Sequence, residues 1–132
     1  LWREYWDSLA LPGDFQDFDA ELASLPGAYQ RLMIECVDGV PAGTIALRPL
    51  TSAACEIKRL YVRPAFRGRG LARKLLVRVL IEAKALGYTE AFCDTLPKLL
   101  AARELYRSFG FEETGPYSDK PTPGAICLFL AL

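Results

Sequence analysis

The most constraining feature of this chain is a strand that runs through a basic, glycine-punctuated turn into a long amphipathic helix. Ala54 to Val62 alternates as a strand, and Pro64 ends it. Arg67-Gly68-Arg69-Gly70 follows, and Gly70 to Leu86 reads as the best helix in the chain. Leu71, Leu75, Leu76, Val79, Ala83 and Leu86 form one apolar stripe on it, and Gly87 stops it. The first turn of a helix carries unpaired N–H groups and the positive end of the dipole. Two glycines let such a backbone approach an anion closely, and Arg67, Arg69 and Arg73 add positive charge nearby. A polyphosphate fits this physics. The turn lacks the Gly-Lys-Ser/Thr ending of a P-loop and the third glycine of a GxGxxG dinucleotide motif.

The remaining elements fall around that unit. Leu1 to Leu9 has apolar residues at helical spacing, and Pro12-Gly13 breaks it. Phe15 to Ser24 reads as a short helix or an ordered loop. Arg31 to Val37 and Val40 to Leu47 are strands joined by the hairpin signal Asp38-Gly39, with Gly43 a candidate bulge. In Ala54 to Val62, strict alternation puts Cys55, Ile57, Arg59 and Tyr61 on one face and Glu56, Lys58, Leu60 and Val62 on the other. Thr89 to Asp94 is a short buried strand, Leu99 to Phe109 a second long helix, and Phe111 to Thr114 another strand. Ala125 to Leu132 is almost wholly apolar and belongs inside the sheet. The order predicts one α/β domain over residues 1–132, a mixed, mostly antiparallel sheet with helices packed on it.

Composition narrows the chemistry. The chain has 132 residues, 16 Lys plus Arg against 16 Asp plus Glu, and no histidine. The balanced charge argues against nucleic acid as a partner. Without histidine, Ser-His-Asp and Cys-His nucleophile systems and His-ligated metals are excluded. Cys36, Cys55, Cys93 and Cys127 form no CxxC pair, so no metal is expected, and each is read as a buried, reduced thiol. No apolar run approaches the ~20 residues of a membrane span. A cytoplasmic setting is expected.

Two blocks carry a family resemblance. Ile57 to Ala72 resembles the acetyl-CoA-binding region of the GCN5-related N-acetyltransferases (GNAT). That family's Gln/Arg-x-x-Gly-x-Gly/Ala signature is met by Arg67, Gly70 and Ala72. Ala102 to Phe111 is similar to the family's A-x-x-L-Tyr-x-x-x-Gly-Phe block. The resemblance covers about residues 28 to 132 and, more loosely, the N-terminal helix. It implies the GNAT fold, with acetyl-CoA lying where the strand ending near Val62 splays from the strand at Ala91 to Asp94.

The resemblance also implies roles. Leu60, Tyr61 and Val62 would pair through a β-bulge with the pantetheine arm, one N–H pointing at the thioester carbonyl. Arg67, Gly68, Arg69, Gly70, Leu71, Ala72 and Arg73 would hold the pyrophosphate, and Ala102 would line the site. Tyr106 matches the tyrosine that protonates the departing thiolate. Many members carry Asn at the place of Leu99, and Thr95 is the expected substitute contact. Glu56 is the candidate general base, read on the face of Leu60, with Asp94 the alternative. Tyr117, Ser118, Asp119 and Lys120 would line the acceptor pocket.

The activity implied is acetyl transfer from acetyl-CoA to the primary amine of a small molecule, by direct attack in a ternary complex. A covalent route through Cys93 lacks a visible base. The rival readings are a non-catalytic acyl-CoA-binding module and a nucleotide-binding regulatory domain. The family's first strand is not apparent before the first helix, which is the pattern of a truncated chain or of a partner-covered edge. A homodimer is expected on that ground.

Overall fold

The computed structural model describes residues 1–9, 18–119 and 121–132. Pro12, Gly13, Phe15 and Lys120 lie outside them. Two N-terminal helices, α1 (Trp2–Leu9) and α2 (Phe18–Ala23), precede β1 (Arg31–Val37), β2 (Val40–Pro49) and β3 (Ala54–Val62). Helix α3 (Leu71–Ala85), β4 (Glu90–Thr95), α4 (Leu100–Ser108), β5 (Glu112–Thr114) and β6 (Ile126–Ala131) complete the order. The six strands form one sheet in the order β1-β2-β3-β4-β6-β5. Among the described residues only β3 and β4 pair in parallel. As expected, β6 lies inside the sheet, between β4 and β5.

Local chemistry explains these elements. Asp38 and Gly39 both take positive φ, 49° and 78°, the requirement of a tight primed hairpin turn between β1 and β2. The register of that hairpin slips between Glu35 and Cys36, opposite Gly43. A Cβ on Gly43 would stand 3.1 Å from Leu75 Cδ1 and from the Tyr61 carbonyl oxygen. Glycine therefore lets α3 close onto the sheet at this point.

Helix α3 buries Leu75, Leu76, Val79, Leu80 and Ala83 against Ile45, Leu47, Cys55, Ile57 and Val62. Leu80 joins the buried stripe, whereas Leu86, read as part of it, is 36% exposed. The other face of the sheet carries α1. Trp2 Nε1 donates to Thr44 Oγ1 at 3.0 Å, Tyr5 packs on Tyr61 with ring centroids 5.5 Å apart, and Arg63 pairs with Glu4 at 2.8 Å.

Two expectations fail here. Cys36 is exposed rather than buried; it sits on β1, at the edge of the sheet. Strict alternation in β3 also breaks. Thr44 opposes Tyr61 but Ala46 opposes Lys58, so Arg59 and Leu60 together face Ile45. Arg59 takes φ 60°, a left-handed conformation that lets one extra residue bulge out of the strand. Side-chain parity flips at that point. Cys55, Ile57 and Val62 belong to the α3-side core and Leu60 packs against it. Arg59 lies against Trp2 and Trp6 of α1, and Tyr61 against Tyr5. Glu56, read on the face of Leu60, is thus on the opposite one, where it meets Arg48 and Tyr117.

Candidate active site

The bulge does more than flip side chains. Strands β3 and β4 pair only from Ala54↔Glu90 to Glu56↔Phe92. Past that register β4 continues to pair with β6, while β3 bends away toward the turn before α3. The main chain from Leu60 to Val62 is consequently left without a β4 neighbour. A cleft of about 670 Å³ opens along it, bounded by β3, the first turn of α3 and the start of α4. That is the size of a typical ligand site.

At one end lies the anion site. Gly68 and Gly70 take φ 79° and 76°, and a Cβ at either would meet nothing within 4 Å. Glycine is used here for its backbone conformation, not for crowding. No side chain caps α3, so the N–H groups of Leu71, Ala72 and Arg73 open its first turn toward the cleft. Each arginine of the turn leans on an aromatic ring. Arg67 lies 5.7 Å from the Tyr61 ring and donates from Nε to the Val62 carbonyl at 2.8 Å. Arg69 lies 5.5 Å from Phe66, and Arg73 lies 5.1 Å from Phe109. Arg67 and Arg73 line the cleft; Arg69 is not among its walls. Leu60, Tyr61, Val62, Gly68, Gly70, Leu71, Ala72 and Ala102 line it too.

Seven lining residues lie outside the two sequence blocks: Tyr5 and Ser8 of α1, Arg73 of α3, and the run Lys98, Leu99, Leu100 and Ala101. The Lys98 ammonium donates to the Leu9 carbonyl at the end of α1. Sequence gives no signal for α1 as a wall, because nothing local says where that helix docks.

Beyond the other end, a second cavity of about 30 Å³ lies among Trp6, Arg59, Asp94, Thr95 and Thr122. Thr95 therefore faces this cavity and not the larger cleft. Burial raises the Asp94 carboxyl above its usual range, opposed by the positive charge of Lys58 and reinforced by Glu56. Burial likewise lowers the Lys58 ammonium.

Tyr106 is 5% exposed and packs edge-on against Phe111 at 5.3 Å. Its phenol neighbours the Cys93 thiol. Burial, with Cys93, Tyr5 and Asp94 nearby, raises its pKa well above that of a free phenol, so it is protonated at neutral pH. Tyr106 lines neither cavity. The Cys93 thiol is also pushed well up by burial, which makes it a poor nucleophile.

Glu56 is 3% exposed, and both its oxygens are engaged: Arg48 Nε donates to one and the Tyr117 hydroxyl to the other, each at 2.6 Å. Tyr117 stacks beside Phe92 at 5.0 Å, which carries the loop before β6 onto this face. Neither cavity reaches Glu56. Among the described residues no group of His, Cys, Asp and Glu could hold a metal, and no helix is long and apolar enough to cross a membrane.

An uncharacterized N-acetyltransferase of Schizosaccharomyces pombe is 36% identical, with the match covering 100% of this chain and 85% of that protein. An acetyltransferase from Streptococcus agalactiae shares the fold with a TM-score of 0.80 at 22% identity, over 95% of this chain and 82% of that one. A GNAT family acetyltransferase from Elizabethkingia anophelis, solved with acetyl-CoA bound, superposes with a TM-score of 0.72 at 23% identity, over 94% and 86%. The model of the acetyltransferase (GNAT) family matches residues 1–111, and the chain belongs to that family.

Proposed function

We propose that this protein transfers the acetyl group of acetyl-CoA to the primary amine of a small molecule, by direct attack in a ternary complex. One observation carries the reading: the uncapped N-terminus of α3, entered through Gly68 and Gly70, opens into the cleft where β3 parts from β4. Pyrophosphate would lie on the Leu71 to Arg73 amides, flanked by Arg67 and Arg73. The pantetheine arm would run beside Leu60 to Val62 in place of the missing β4 neighbour. An N–H of the bulge would then stabilise charge growing on the thioester oxygen.

Tyr106 is the proposed acid for the departing thiolate. Its buried phenol holds its proton at neutral pH, and ligand-free geometry often lengthens such contacts. For the base there are two carboxylates. Glu56 would act through a water. Asp94 is favoured because it lines the small cavity beside Tyr5, whereas Glu56 reaches neither cavity. A cytoplasmic setting belongs to the same proposal.

The test is acetyl-CoA turnover across a panel of amines, read as free thiol, with Tyr106→Phe alongside. An acid role lowers kcat at saturating substrates about a hundredfold or more and leaves CoA affinity unchanged. Unchanged kcat across pH removes Tyr106 from the chemistry. Tight CoA binding with no thiol release from any amine supports a binding module instead.

A further inference from the structure

The large cleft and the small cavity are consecutive along β3. Val62, Tyr61 and Leu60 line the first, and Arg59, the next residue back, lines the second. Two residues border both: Tyr5 from α1 and Leu99 at the start of α4. They stand on either side of the junction, Tyr5 braced against the Tyr61 ring at 5.5 Å. With pyrophosphate at the α3 end, the acyl end of the donor points at this junction.

We propose that Tyr5 and Leu99 form the partition that closes the acyl end of the donor cleft and restricts the acyl group to a short chain. The inference rests on the donor-site reading above. An acetyl group ends before the partition. Each added methylene must displace the Tyr5 ring or enter the second cavity. The ring is held between α1 and β3, so displacing it costs packing. The second cavity holds only about 30 Å³, and Asp94, Arg59, Thr95 and Thr122 stand in it among the apolar Trp6, Leu9, Leu96 and Ala125, so an alkyl chain there would have to force the walls apart and press on polar groups without offering them a hydrogen bond. Both routes penalise a longer donor. The steric role belongs to the ring and not to the hydroxyl.

Calorimetric titration of the protein with CoA, acetyl-CoA, propionyl-CoA and butyryl-CoA tests this without any amine. The native protein should bind butyryl-CoA about tenfold more weakly than acetyl-CoA, a penalty typical of overpacking a filled wall. Tyr5→Ala should bring the two within about threefold, and Tyr5→Phe should retain the native discrimination. Leu99→Ala cuts the partition from the opposite side and should narrow the ratio as well. It lies on a different element, so it carries the test even if Tyr5→Ala does not fold. Equal native affinity for acetyl-CoA and butyryl-CoA overturns the partition alone. So does native-like discrimination in folded Tyr5→Ala and Leu99→Ala. Failure of the native protein to bind CoA itself overturns the donor site instead.

Discussion

Arg59 offers a stability measurement whose sign depends on the bulge. Its φ of 60° places a side chain in the left-handed region, which costs an L-residue roughly 1–2 kcal/mol relative to glycine. The side chain offsets that cost. Its guanidinium lies 5.7 Å from the Trp2 ring and 5.6 Å from the Trp6 ring, and it pairs with Glu21. The Arg59 side chain is 4% exposed and that of Glu21 17%, so breaking the pair should cost about 3–5 kcal/mol. Arg59→Ala loses the side chain and keeps the strained backbone. Arg59→Gly loses the same contacts but relieves the strain, against an unfolded-chain entropy penalty of about 0.4–1 kcal/mol. The difference leaves glycine more stable than alanine by about 0.8 kcal/mol, the reverse of the usual order in a strand. Urea unfolding followed by far-UV circular dichroism, at matched m-values, resolves it. An alanine variant as stable as the glycine variant, or more so, would refute a left-handed bulge at Arg59. The explanation of why β3 leaves β4 would fall with it.

Asp94 carries a raised pKa in the fold, so between its ordinary 3.8 and the folded value the native state holds a proton that the unfolded chain releases. Native stability should therefore fall, relative to Asp94→Asn, as pH rises from about 4 toward 7. Thermal melts of both proteins over that range check it, and a gap that stays flat or closes contradicts the burial of the carboxyl. Leu32 and Ile34, 41% and 59% exposed, lie on β1, whose outer edge pairs with no described strand. A homodimer through that edge should sediment as a monomer after Ile34→Glu, and a native protein that is already monomeric at high concentration rules it out.

Much of this molecule is legible without its tertiary structure. The helix over α3, the Asp38-Gly39 hairpin and the apolar β6 follow from local rules of period, turn chemistry and length. The Arg67 to Ala72 turn announces an anion site because glycine backbone freedom and a helix N-terminus are local properties. What only the folded chain decided are long-range matters. A bulge is one residue too many relative to a partner strand, and β3 alone cannot show how β2 will register against it. The face of Glu56, and with it the distance of that carboxylate from either cavity, turned on that one residue. Tyr5 is a helix residue with an apolar neighbour pattern; it became a wall because Arg63 and Thr44, far along the chain, anchor α1 across β3. Local sequence sets backbone conformation, whereas contacts between distant residues set which side chains share a cavity. The anion turn could therefore be read from six adjacent residues, and the partition between the cavities could not.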